Sequence, residues 1–134
     1  ELKIQVLGDE IISKFDSVQK ISSKDIWYEE FLDYKIVIGE IPSNKDTIEM
    51  INTYSGGHSS VIITNNKAEA KLFMENVDTA AVYHNVSSRF TDGGQLGLGG
   101  ELAISTDKLH QRGPIGLKHL VTNKWYVYGN GQIR

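Results

Sequence analysis

Side chains suited to chemistry gather in one stretch of this chain, NVSSRFTDGGQLGLGGELAIST, residues 85 to 106. It carries Arg89, the hydroxyls of Ser87, Ser88 and Thr91, and glycines at 93, 94, 97, 99 and 100. A guanidinium is a fixed fork of donors that matches carboxylate or phosphate. Glycines permit positive φ and a close approach of backbone to a ligand or another chain. The combination suits an anionic small molecule. A packing or mobile loop with no ligand is the competing reading, since surface loops of this composition are common.

Other chemistries find less support. "GLGGEL" lacks the strand–turn–helix setting and the downstream acidic residue of a dinucleotide fingerprint, and no Gly-Lys-Ser/Thr appears for a phosphate loop. Histidines 58, 84, 110 and 119 lie far apart and show no metal-ligand spacing; His58, at the start of a strand, and His84, near the end of one, read as structural or partner-bonded. Ser87, His58 and Asp92 could be combined into a hydrolase triad on paper, but no nucleophile-elbow pattern surrounds the serine. Asp92 reads instead as the start of a turn with Gly93. The chain has no cysteine, which removes disulfides, thiolate metal sites and a thiol nucleophile.

The elements that must position the loop follow from periodicity. Leu2, Ile4 and Val6 alternate as a first strand ended by "GDE", and residues 9 to 15 suit a short helix. "SSKDIWYEEF" places serine caps before an acidic turn, and "YKIVIGEI" reads as a buried strand. "SNKDTIEMINTY" predicts a helix with Ser43 and Asp46 at capping-box spacing. "SGGHSSVIIT" is a glycine turn feeding a strand. In "NNKAEAKLFMENV", Ala68, Leu72 and Phe73, or Ala68, Ala70 and Met74, fall at helical spacing beneath an Asn cap. "TAAVYHN" is the next strand, "GPIGLKHL" starts a short helix at Pro114, and "NKWYVYG" is an aromatic terminal strand.

Alternation of strands and helices predicts parallel strands with helices laid across them, in one α/β unit spanning residues 1–134. The loop after Asn85 then leaves the carboxyl end of a strand, where open α/β sheets bind ligands. Trp27, Trp125 and Tyr126 read as core or interface residues, and the terminal strand as an interface, because an uncovered aromatic edge invites pairing. With 134 residues the chain has the size of one domain. A formal charge of −3 argues against nucleic acid as main partner, and no apolar run reaches bilayer-spanning length. Ordinary hydrophobic and charged fractions argue against disorder. A start at Glu1, already alternating like a strand, reads as a piece of something longer.

Residues 25 to 134 resemble a known family. "SSRFTDG", "LGLGGELAIST", "KLHQRGPIGL" and the closing "GNGQIR" are similar to the carboxy-terminal end of the gamma-glutamyl phosphate reductases, members of the aldehyde dehydrogenase superfamily. "INTYSGGHSSVIIT" and "DIWYEEFLDYKIVI" resemble the family's glycine–histidine turn and its tryptophan–acidic–leucine segment. The resemblance implies part of an aldehyde-dehydrogenase-like catalytic domain, a mostly parallel sheet with flanking helices and a carboxy-terminal oligomerisation strand. It implies a cytoplasmic homo-oligomer that reduces gamma-glutamyl phosphate to glutamate-5-semialdehyde with NADPH, in proline biosynthesis.

In that family a cysteine thiolate displaces phosphate before reduction. Its absence here implies that this chain alone is inactive, with the nucleophile and most of the cofactor site upstream. Glu30 in "EEFLD" corresponds to the superfamily's ribose-binding glutamate, Glu29 is its rival, and Leu32 stands where the superfamily has an aromatic residue. Ser87, Ser88, Arg89, Phe90 and Thr91 correspond to the substrate-anchoring loop: Arg89 pairing with the α-carboxylate or pinning the loop, the hydroxyls hydrogen bonding, Phe90 shaping the wall. The alternative is a stand-alone binding or assembly module for an amino-acid-like anion or a protein partner.

Overall fold

A computed structural model describes residues 3–133. Leu2, at the start of the expected first strand, and Arg134, at the end of "GNGQIR", lie outside the described residues. Strands β1 (Gln5–Gly8), β2 (Val18–Lys20) and β3 (Lys35–Ile38) form a parallel sheet in the order β2-β1-β3, with Val6 opposite both Val18 and Ile36. The helix expected over residues 9 to 15 contracts to a 3₁₀ turn, Ile12–Lys14. Asp9 sets that turn, its carboxylate accepting the Ile11 and Ile12 N–H groups at 2.9 and 2.8 Å. A second 3₁₀ turn, Lys24–Tyr28, begins at the cap Ser23, whose hydroxyl accepts the Asp25 N–H at 3.2 Å. β3 is half-buried rather than buried: Lys35 and Val37 face inward while Ile36 and Ile38 face out.

Helix α1 (Asn44–Tyr54) starts where the Ser43–Asp46 spacing predicts. Ser43 Oγ accepts the Asp46 N–H at 3.1 Å and donates to Asp46 Oδ2 at 2.7 Å. The carboxylate thus meets the serine hydroxyl, where the longer glutamate of a full capping box would reach back to the cap N–H. Helix α2 (Lys67–Asn76) is capped by Asn66 Oδ1, which accepts the N–H groups of Ala68 and Glu69. Its buried face is Ala70 and Phe73, continued by Val77; Leu72 and Met74, also at helical spacing, stay exposed.

Strands β4 (Ser59–Ile62) and β5 (Ala81–His84) pair in parallel with α2 between them in sequence. Ile48 of α1, Phe73 of α2 and Val77 form the core, with Ile51, Ile62 and Val82 packed around it. The strand–helix alternation therefore gives the expected parallel pairing and an α/β fold, but the pairs fall into separate sheets, since β3 does not reach β4 among the described residues.

After the glycine-rich loop, β6 (Glu101–Ser105) and β7 (Gly113–Gly116) form an antiparallel ladder. The helix expected from Pro114 is not there: Pro114 sits in β7 opposite Ile104, and helical backbone is confined to a 3₁₀ turn, Leu117–His119. Gly113 at φ 84 cannot lead into a right-handed helix, and a two-stranded ladder leaves an edge where proline's missing N–H costs nothing. Residues 123 to 129, expected as a terminal strand, pair with no strand among the described residues.

Candidate functional site

The loop leaves β5 through a clasp. Asn85, at φ 55, accepts the Thr64 N–H through Oδ1 and donates Nδ2 to the Thr64 carbonyl, both at 2.9 Å. His84 Nε2 meets the same carbonyl at 2.9 Å, giving His84 the structural role its position suggested. The clasp joins the carboxyl ends of β4 and β5, so the loop starts from a fixed point.

The five residues proposed for substrate anchoring follow one another along that loop. Ser87 turns it, its hydroxyl accepting the Arg89 N–H at 3.2 Å and its carbonyl the Phe90 N–H at 3.0 Å. Thr91 Oγ1 is hydrogen bonded to the hydroxyl of buried Tyr83 on β5. Ser88, Arg89 and Phe90 between them are exposed. Arg89 makes no ion pair among the described residues. Asp92 starts a turn as expected, Oδ1 accepting the Gln95 N–H at 2.8 Å. Gly93 is required sterically: a Cβ there would stand 2.8 Å from the Gly99 carbonyl oxygen and 2.9 Å from Glu101 Cβ.

Glu30 stands elsewhere. It lines a cleft of about 800 Å³ with Trp27, Tyr28, Glu29, Thr53, Tyr54, Ser55, Gly56, His58 and Thr106, and none of residues 87 to 91 reaches it. Glu29 is drawn to Lys35, Oε1 to Nζ 3.7 Å, whereas Glu30 has no ion pair among the described residues. The Tyr28 and Tyr54 rings meet across the cleft at 4.5 Å between centroids. Leu32, expected near Glu30 in an aromatic residue's place, is 89% exposed at φ 47 and does not line the cleft. Trp27 packs against Gly39, where a Cβ would lie 2.9 Å from its Cη2.

Two charged groups escape sequence inspection. Asp78, just before β5, accepts Arg112 Nη1 at 2.8 Å and is also bonded to Lys108 Nζ, while Arg112 Nη2 donates to the Asp78 carbonyl at 2.9 Å. The hydrogen bonds from Lys108 and then Arg112 hold its carboxyl below the ordinary carboxylate range. These partners lie 30 and 34 residues away, beyond any local signal. Asp9 accepts a third N–H, from Glu40 at 2.7 Å, and its backbone donors, Ile12 foremost and then Glu40, hold its carboxyl low as well. The "GDE" turn was its only sequence signal. No group of three metal-ligating side chains occurs among the described residues.

An α/β unit with a glycine-rich loop clasped to the ends of two parallel strands defines the class. No family model matches the chain. Over its full length it is 47% identical to a gamma-glutamyl phosphate reductase of Clostridium botulinum and 48% identical to one of Lachnospira eligens, covering 32% of each. The crystal structure of gamma-glutamyl phosphate reductase from Thermotoga maritima superposes at TM-score 0.86 with 44% identity, over 98% of this chain and 32% of that one. The enzyme from Saccharomyces cerevisiae gives 0.51 at 25% identity, over 71% of this chain and 25% of that one. In sequence and fold the chain is homologous to the gamma-glutamyl phosphate reductases, and it spans about a third of the length of the relatives it matches.

Proposed function

We propose that this chain is the carboxy-terminal segment of an NADPH-dependent gamma-glutamyl phosphate reductase, one α/β unit over residues 1–134 that supplies a substrate-anchoring loop and one wall of the cofactor site. The observation that carries the reading is the match at TM-score 0.86 and 44% identity, over 98% of the chain, to a solved reductase. The substrate would be an acyl phosphate with an amino-acid group at its far end. Arg89 would pair with the α-carboxylate, Ser87, Ser88 and Thr91 would add hydrogen bonds, and Phe90 would form the wall. Anchoring remote from the reacting carbon fixes that carbon before reaction.

NADPH, when bound, supplies a hydride. The residues present fit its nicotinamide ribose: Glu30 is an exposed carboxylate without an ion pair among the described residues, on a cleft whose other lining includes aromatic rings. An ionised carboxylate accepts hydrogen bonds only, which suits two adjacent ribose hydroxyls. The thiol nucleophile would come from polypeptide outside this chain, which has no cysteine, so the chain alone should not turn over substrate. We assign the complete enzyme to the cytoplasm and to a homo-oligomer formed through the terminal segment, residues 123 to 129. Exposure of Trp125, Val127 and Tyr128 supports that contact. Among the described residues no helix is long and apolar enough to cross a membrane.

Arg89→Lys in the complete polypeptide tests the loop. Replacing a fork by a point charge should raise KM for gamma-glutamyl phosphate about tenfold or more, by the strength of a charge-assisted bidentate pair, with thermal stability unchanged. Unchanged KM with a lowered unfolding temperature would instead make Arg89 a pin for the loop backbone.

A further inference from the structure

The cleft that holds Glu30 has a second wall. Trp27 and Tyr28 come from the 3₁₀ turn before β3 and Glu30 from the segment just after it, whereas Tyr54 ends α1 and His58 leads into β4. His58 is exposed, and its Nδ1 lies 2.9 Å from Ser59 Oγ, so one ring nitrogen is engaged. Nε2 makes no hydrogen bond among the described residues. The backbone behind the ring is fixed on both sides: the Gly57 carbonyl accepts the Ala80 N–H at 2.8 Å, and the His58 carbonyl accepts the Ala81 N–H at 3.1 Å. The cleft therefore combines an imidazole whose Nδ1 is engaged and whose Nε2 has no partner among the described residues, the Glu30 carboxylate, and the packed Tyr28 and Tyr54 rings.

We infer that His58 is the second polar anchor of the ribosyl-nicotinamide site whose first anchor is Glu30, its Nε2 hydrogen bonding to the carboxamide or ribose of the ligand beside the Tyr28–Tyr54 rings. The inference rests on the cofactor reading of Glu30 and extends it to a specificity-determining residue on a different element. The chemistry is consistent on three counts. A volume of about 800 Å³ falls within the roughly 300–1,000 Å³ usual for small-ligand sites. Tyrosine rings offer a face to a planar heterocycle. An imidazole can donate or accept according to tautomer, so it can serve either a carboxamide oxygen or a hydroxyl. A structural His58 would need only its Ser59 bond and would place no requirement on Nε2.

The test uses the complete polypeptide and reduced nicotinamide mononucleotide, with adenosine diphosphate as the probe for the other half of the cofactor. His58→Ala should weaken mononucleotide binding about tenfold, the loss of one hydrogen bond in a ligand site, and leave adenosine diphosphate binding unchanged. His58→Gln, which keeps a donor and an acceptor, should recover part of the loss. In the unmutated protein, the His58 ring proton resonance should shift as the mononucleotide is added, a readout that needs no variant to fold. Unchanged mononucleotide affinity in His58→Ala, or a ring resonance that does not move, overturns the inference. Glu30→Gln measured in parallel separates the two readings. If Glu30→Gln alone loses affinity, the ribose assignment stands and His58 falls; if neither variant loses it, both fall.

Discussion

At the residue scale, the two carboxylates that the structure perturbs act on the fold, away from the proposed substrate contacts. Asp9 collects three backbone N–H groups and ties the end of β1 to the backbone after β3, while Asp78 ties the start of β5 to the β6–β7 hairpin through Arg112 and Lys108. Both have folded-state pKa values lowered by these partners. The linkage sign is then fixed: each contributes stability above its unfolded pKa of about 4, and that contribution is lost as pH falls through the lower folded value. Urea midpoints measured from pH 6 downward should therefore hold until about pH 4 and then drop. In Asp9→Asn the midpoint should be lower at neutral pH and the acid drop shallower, since the amide cannot take up the proton that the carboxylate does. A variant whose midpoint tracks the unmutated protein at every pH would leave Asp9 with no such role.

At the scale of elements, α1 and α2 pack on the β4–β5 pair through one small core. Phe73 is 2% exposed and meets Ile48 and Val77, the other buried members of that cluster. Phe73→Ala should cost about 3–5 kcal/mol, a large share of the stability a domain of this size has. Ser43→Ala should cost only about 1 kcal/mol, since it removes one helix cap. Chemical denaturation of both variants checks the order, and a Phe73→Ala midpoint no lower than that of Ser43→Ala would place the core elsewhere. These two helices were also the most legible elements, because capping residues and helical spacing are local signals. The parallel pairing of β4 and β5 followed from the alternation around α2. Less local outcomes were hidden. Pro114 reads as a helix start by position, and only the antiparallel partner β6 makes it a strand residue. The half-exposure of β3 depends on what covers its second face, which eight apolar-rich residues cannot report. The loop was legible as a binding candidate from Arg89 and its hydroxyls, but its separation from the Glu30 cleft is a fact of three dimensions.

The whole molecule shows too much surface. A folded monomer of 15.0 kDa is expected to expose about 7,000 Å²; this chain exposes 10954 Å². The excess includes Leu32 and Ile63 as well as the outward residues of β3, and the largest continuous contribution comes from residues 121 to 133. Val121, Trp125, Val127, Tyr128 and Ile133 are each at least 70% exposed there. Alternating aromatic and β-branched residues without a ladder are the composition of a strand awaiting an edge. Further polypeptide and a second copy can both cover such a surface, and they differ in concentration dependence. In the complete polypeptide, Trp125→Glu would place a carboxylate in the middle of the proposed contact, and burying it unpaired is costly. Sedimentation velocity should then show the oligomer breaking into smaller species on dilution while the unmutated protein stays assembled, and the Arg89-dependent KM should be unchanged in the fraction that remains folded. An oligomer as resistant to dilution in Trp125→Glu as in the unmutated protein would move the subunit contact away from this segment and leave residues 121 to 133 to pack within one chain.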